Sequence, residues 1–235
     1  MSIRDGHSFS EPDKVRVTHC SLTLSANFDA RILDGRVHLS FERIDPQAPL
    51  VLDTRDLQIR RVECGEGEVE FQLGPRDPIL GSALTIPLPP GCDQAIVHYT
   101  TQPQASGLQW LTPGQTAGER HPFLFSQNES IQARSWIPLQ DSPGVRITYD
   151  ARIQAVDGLR VLMSAQHRSE ENGAHVFRMD LPIPPYLIAL AIGDLDFAAL
   201  GPRTGIYAEP PVLAAAALEF EDTERLVKTV ERLYG

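Results

Sequence analysis

The chain has 235 residues, 42% of them hydrophobic, and its 31 acidic against 21 basic side chains leave a formal charge of −10. That is apolar material for one large core or two small ones, and the acid excess argues against a nucleic-acid partner, which requires a basic face. No apolar run approaches the roughly 18 residues of a membrane span, and residues 1–13 lack the apolar centre of a secretory leader, so a cytoplasmic protein with no membrane partner is expected.

Cys20, Cys64 and Cys92 are odd in number and far apart, with no C-x-x-C. Reduced, structural thiols are expected, and neither a disulfide framework nor a zinc knuckle is signalled.

Residues 15–28 alternate, and a change of phase at His19 and Cys20 predicts a β-bulge. Asp34-Gly35 is read as a hairpin turn before the apolar alternation resumes at residues 37–41. The runs 50–53, 57–62, 69–73, 83–86 and 95–100 follow, each short, of period two and bounded by Gly, Pro or Asp. Strands recurring this closely predict an all-β, antiparallel β-sandwich. Residues 102–111 lead into 112–122, a stretch too rich in Pro and Gly for a regular element that reads as a surface loop.

Residues 125–143 gather a carboxylate, carboxamides, Arg134, Trp136 and two prolines between stretches of β-structure. Loops held by rigid strands are where binding residues concentrate. Glu129 follows the apolar run 123–125, so a strand delivers it to a rim, where a carboxylate can hold a cation. Beyond it, residues 145–153 alternate, 159–164 and 175–181 read as a hairpin with a charged tip at 168–172, and 186–192 read as a strand buried on both faces. After Thr204 the period turns helical. Residues 212–218 are alanine-rich, and Asp222 or Thr223 caps a second helix in which Leu226, Val230 and Leu233 recur at helical spacing. The expected architecture is thus a β domain with a short C-terminal helical tail.

None of the seven histidines stands in H-E-x-x-H or any other pair with metal-ligand spacing, and G-x-S-x-G, P-loop and G-x-G-x-x-G signatures are missing. Taken alone, these residues do not make a complete enzyme, and no metal site is expected within the chain.

Gln127-Asn128-Glu129-Ser130, then Ala133, Arg134, Pro138, Asp141 and Pro143, then Y-L-I-A-L-A-I-G at 186–193 and G-P-R-T at 201–204, resemble in order and spacing the zinc aminopeptidases of peptidase family M1, the aminopeptidase N and leukotriene A4 hydrolase type. The resemblance runs along essentially the whole chain and is sharpest over 125–204. It implies that residues up to about 205 are the N-terminal saddle of antiparallel sheets, and that 206–235 begin the helical catalytic domain. The H-E-x-x-H would lie beyond Gly235, so zinc would belong to the full-length protein and this fragment would hold none and be inactive. Its partners would be a peptide with a free N-terminus and its own missing catalytic domain, towards which an apolar surface is expected.

The resemblance also assigns roles. The third position of the family's Q-x-E-A motif, here Glu129, binds the substrate's α-amine, and the first, here Gln127, lines the pocket for its first side chain. Ser130 stands where alanine is usual. An α-ammonium pairs best with a carboxylate, in a contact that orients the peptide and selects a free N-terminus. Glutamate at 129, where the leukotriene hydrolase pattern has glutamine, favours peptidase chemistry, and a cis Glu129–Ser130 bond is implied. Away from the motif, Arg134 and Asp141 read as a structural clamp, Trp110, Trp136 and Tyr186 as packing, and His98 as a satisfied, partly buried histidine. The alternative is a non-catalytic β-sandwich module that binds a protein or glycan through the loop 114–122 and Trp110.

Overall fold

The computed structural model describes residues 5–65, 67–156 and 158–235, and the expectation of a leaderless start falls partly outside them, on residues 1–4. An eight-stranded sheet runs in the order Gln166–Glu171, Ala174–Ile183, Ile147–Gln154, Val15–Asn27, Ile32–Arg43, Gln94–Thr100, Gln58–Cys64, Gly67–Val69. Its pairings are antiparallel save one, the parallel ladder between Val15–Asn27 and Ile147–Gln154. A three-stranded sheet (Leu50–Thr54, Ser82–Ile86, Gln72–Leu73) and a four-stranded one (Arg160–Met163, Leu190–Gly193, Phe123–Ser126, Leu108–Leu111) complete the larger sheets.

The bulge falls where the phase changes. Register with the neighbouring strand slips between Val17 and His19, so Val15 and Val17 share a buried face with Cys20, Leu22, Leu24 and Ala26 although the parity of the numbering switches. The Asp34-Gly35 turn is corrected. Both residues lie inside Ile32–Arg43, paired on either side with Ser25 and Leu24 and with Thr100 and Tyr99. The chain reverses at residues 28–31, where the Asn27 side chain accepts the Ala30 N–H at 2.9 Å and Arg31 takes a left-handed φ of 55°. Gly35 serves close approach and not reversal: a Cβ there would stand 2.0 Å from the Thr23 carbonyl oxygen.

Three other expectations are revised. The hairpin joins Gln166–Glu171 to Ala174–Ile183 through Asn172 and Gly173, at φ 50° and 74°. Asn-Gly with both residues left-handed is the favoured two-residue turn, so the charged stretch is itself largely strand while Arg160–Met163 pairs elsewhere. The run 186–192 is strand only from Leu190, because Pro184 and Pro185 start a 3-10 turn, Pro185–Leu187, that leaves Leu187 exposed. Cys64 and Cys92 are not reduced thiols but a disulfide, with Cα atoms 6.1 Å apart. Cys64 pairs with Ala95 across the sheet, which draws the preceding turn and Cys92 beside it. Cys20 stays free and buried, and desolvation, with Asp150 adding, pushes its thiol up to about 12.

The chain divides into two compact units. The first, residues 1–109, 125–157 and 161–191, contains the eight- and three-stranded sheets, with a core of Leu22, Leu39, Val97 and Tyr149 from the larger and Leu50, Leu52, Leu84 and Ile86 from the smaller. The second, residues 110–124, 158–160 and 192–235, carries a hairpin (Asp196–Ala199 with Gly205–Ala208) and two helices, Leu213–Glu219 and Thr223–Tyr234. Asp222 is the N-cap residue of the last helix. Arg203, in the hairpin turn, pairs with Glu231 and Glu224 on that helix, while Leu226, Val230 and Leu233 are exposed. In the loop 110–124, the Ala117 and Gly118 N–H groups donate to the Glu209 carboxylate at 3.0 and 3.2 Å. Among the described residues no helix is long and apolar enough to cross a membrane.

Candidate functional site

Phe123–Ser126 leads into the motif, which is held by hydrogen bonds at Ser126, Gln127 and Asn128. The Ser126 hydroxyl accepts the Leu190 N–H at 2.9 Å, the Gln127 N–H donates to the Gly107 carbonyl at 2.9 Å, and the Asn128 carbonyl accepts the Gln132 N–H at 2.8 Å. Along this turn Gln127 is exposed, Asn128 buried, and Glu129 and Ser130 exposed. The Glu129–Ser130 peptide bond is cis, as the resemblance implies. Gln127, Glu129 and Ser130, interrupted only by the buried Asn128, are thus presented on one short stretch, and among the described residues no ion pair to the Glu129 carboxylate is formed.

Immediately after the turn the chain enters a 3-10 turn, Ala133–Ser135, all of it buried. A buried guanidinium must spend its donors on fixed acceptors, and Arg134 does. Its Nε donates to Asp141 Oδ2 at 3.0 Å, one terminal nitrogen to the Leu80 carbonyl at 3.0 Å, and the other to the carbonyls of His7 at 2.8 Å and Asp141 at 2.9 Å. Asp53 lies 3.7 Å from the same guanidinium and accepts from Ser8 Oγ, Phe9 N and Asp141 N. Two carboxylates thus share one cation in a closed site. Burial pushes the Asp141 carboxyl up to about 6 despite Arg134, and raises Asp53 for the same reason. Arg134 and Asp141 form the structural clamp read from the sequence. Trp136 is packing, fully buried, and His98 is satisfied by Glu63 at 2.8 Å.

Two supporting residues escaped the sequence reading. Asn128 accepts the Trp136 indole N–H at 2.7 Å and donates to the Ile188 carbonyl. Gln140, also buried, accepts the Val17 N–H at 2.9 Å and donates to the Val15 carbonyl at 2.8 Å. Its carboxamide satisfies the strand ahead of His19, where the parallel ladder begins. Neither side chain follows a period or a spacing that marks it; the one available signal is that a carboxamide is a common way to satisfy buried backbone.

Among the described residues no three His, Cys, Asp or Glu side chains gather as a metal site.

The family model described as the peptidase M1 N-terminal domain matches residues 16–187. Leucine aminopeptidase 2 of Yarrowia lipolytica is 38% identical across 98% of this chain and 36% of its own length, and leukotriene A-4 hydrolase of Xenopus laevis 37% identical across 98% and 40%. The native leukotriene A4 hydrolase of Saccharomyces cerevisiae superposes with a TM-score of 0.90 at 33% identity, over 97% of this chain and 37% of that one. The same yeast protein bound to bestatin gives 0.91 over 98% of this chain. An M1 zinc metallopeptidase of Deinococcus radiodurans, 21% identical with a TM-score of 0.64, shares the fold. The chain therefore spans well under half the length of the curated relatives it matches. With the family model matching residues 16–187, most of its length, the chain belongs to the peptidase M1 N-terminal domain family.

Proposed function

We propose that this chain is the N-terminal part of a zinc aminopeptidase, to which it contributes the anchor for the substrate's α-amine. Glu129 is that anchor, and Gln127 and Ser130 line the space for the first side chain. The zinc and its ligands belong to a catalytic domain that follows a boundary near Gly205, and the 235 residues alone are inactive. Supporting this reading above all is a carboxylate exposed at 129, next to an Asn128 whose side chain and carbonyl are both hydrogen-bonded, in a chain of this family. The exposed Leu226, Val230 and Leu233 suit a partner domain covering the last helix.

In this role the protein holds a peptide by its ammonium group, so one residue protrudes beyond the anchor and one bond is presented for cleavage. A charge-assisted contact of about 1.5–3 kcal/mol corresponds to about 10- to 100-fold in KM. It is made in ground and transition states alike, so its loss raises KM more than it lowers kcat. The test is Glu129→Ala in the longer enzyme, with kinetics on peptides bearing free and acetylated N-termini. The expected result is a KM raised at least about 10-fold for the free peptides, with zinc content unchanged. Wild-type kinetics in the variant overturn the assignment.

A further inference from the structure

We infer that Asn128 is a positioning residue for the amine anchor: its buried carboxamide sets the direction in which Glu129 is presented. The inference rests on the reading of Glu129 above and concerns what aims it.

Asn128 is 2% exposed and stands between two exposed residues of the motif. An indole N–H can only donate and a carbonyl can only accept. The contact of Oδ1 with Trp136 Nε1 at 2.7 Å and that of Nδ2 with the Ile188 carbonyl therefore fix the amide in one orientation. Trp136 and Ile188 are themselves closed to solvent, so water does not compete for either bond. The backbone is tied on both sides of Asn128, through the Gln127 N–H to Gly107 and the Asn128 carbonyl to Gln132.

One residue beyond this fixed point stands the exposed side chain of Glu129. A carboxylate held this way meets an ammonium without first having to order its own loop, and the ordering cost is what preorganisation removes. Other residues at 128 fail for definite reasons. Aspartate keeps the shape but sets an oxygen against the Ile188 carbonyl, and serine or alanine reaches neither partner while leaving a buried indole N–H unpaired.

The experiment is a double-mutant cycle in the longer enzyme, using Asn128→Ala, Glu129→Ala and the pair, with KM for a peptide with a free N-terminus as readout. Asn128→Ala is expected to raise KM about 10-fold in the wild-type background and less than about twofold when Glu129 is already alanine, because a residue acting through another has no further effect once that one is gone. Trp136→Phe removes only the donor and is expected to give a smaller rise, about threefold, that also vanishes in the Glu129→Ala background. It carries the test if Asn128→Ala does not accumulate as folded protein. An equal KM change in both backgrounds, or a wild-type KM in Asn128→Ala and Trp136→Phe while Glu129→Ala is impaired, overturns the positioning role alone. A wild-type KM in Glu129→Ala overturns the anchor and this inference with it.

Discussion

Arg134 Nε lies 3.0 Å from Asp141 Oδ2, with both side chains closed to solvent, and the same guanidinium reaches the carbonyls of His7, Leu80 and Asp141. One side chain thereby ties together segments remote in sequence and clamps the stretch that follows the motif turn. Taking away one partner of a buried ion pair costs about 3–5 kcal/mol, since the remaining charge is stranded. Here two carboxylates, Asp53 and Asp141, would be stranded at once. Arg134→Met is expected to lower the urea midpoint by the equivalent of at least about 3 kcal/mol. Arg134→Lys recovers only part of this, because an ammonium lacks the planar fork. A wild-type midpoint in Arg134→Met would remove the clamp from the account.

The same pair gives the domain a pH signature. The folded-state carboxyl of Asp141 is raised from its ordinary 3.8 to about 6, by desolvation first, with the charge of Asp53 adding to it and Arg134 opposing. A raised carboxyl keeps its proton in the folded chain where the unfolded chain has lost it. Its contribution is therefore full below about pH 4, lost as the pH rises through about 6, and constant above. Asp34, Asp56 and Asp150 are lowered by Arg60, Arg76 and His19, so their contribution runs the other way and is lost only on further acidification. Between pH 4.5 and 6.5 unfolding free energy is expected to fall with rising pH, Asp141 contributing about 2 kcal/mol and the raised Asp53 acting in the same direction. Asp141→Asn should flatten that slope, and an unchanged slope in the variant would assign the titration elsewhere.

Much of this architecture was legible because its determinants are local. Alternation marked the strands, the phase change at His19 and Cys20 marked the bulge, and Asp222 marked the start of the last helix. The motif turn was legible only through its resemblance to a family, since an exposed Gln-x-Glu is ordinarily a solvated rim. What escaped depends on pairing across long stretches of chain. Asp34-Gly35 has the composition of a turn, yet Thr23 approaches it from another strand. Asn172-Gly173, the stronger turn signal, is masked because the strand leading into it, Gln166–Glu171, is charged and shows no apolar alternation. Asn128 and Gln140 act on backbone groups brought to them by folding, and no spacing announces that.

Gly35 offers a direct measure of that long-range constraint. A Cβ at this position would meet the Thr23 carbonyl oxygen at 2.0 Å and the Leu24 Cα at 3.1 Å, both of them backbone atoms of a central strand that cannot swing aside. Gly35→Ala is expected to destabilise the domain by more than about 3 kcal/mol, at the severe end for overpacking. Gly6→Ala, where nothing lies within 4 Å of the added carbon, should change stability by less than about 0.5 kcal/mol. Equal melting temperatures for the two variants would contradict the close approach.

The Cys64–Cys92 bridge closes a sequence separation of 28 residues. On the loop-entropy account a closure of that size contributes about 3–4 kcal/mol. It also acts where the sheet needs it, since Cys64 ends a strand next to the edge strand Gly67–Val69. The turn carrying Cys92 is held a second time by Arg43, whose guanidinium donates to the carbonyls of Pro89 and Cys92, so reduction should loosen this corner without dissolving the sheet. Alkylation followed by mass spectrometry separates the thiols. The unreduced, unfolded chain should take one label, on Cys20, and the reduced chain all three. In the native state Cys20 should stay unlabelled at pH 8, because burial raises its thiol to about 12 and closes it to reagent. Cys64→Ser with Cys92→Ser should lower stability by about 3 kcal/mol. Three labels on the unreduced, unfolded chain would show that the two cysteines are not joined, and stability equal to wild type in the double variant would show that the bridge adds nothing beyond what Arg43 already holds.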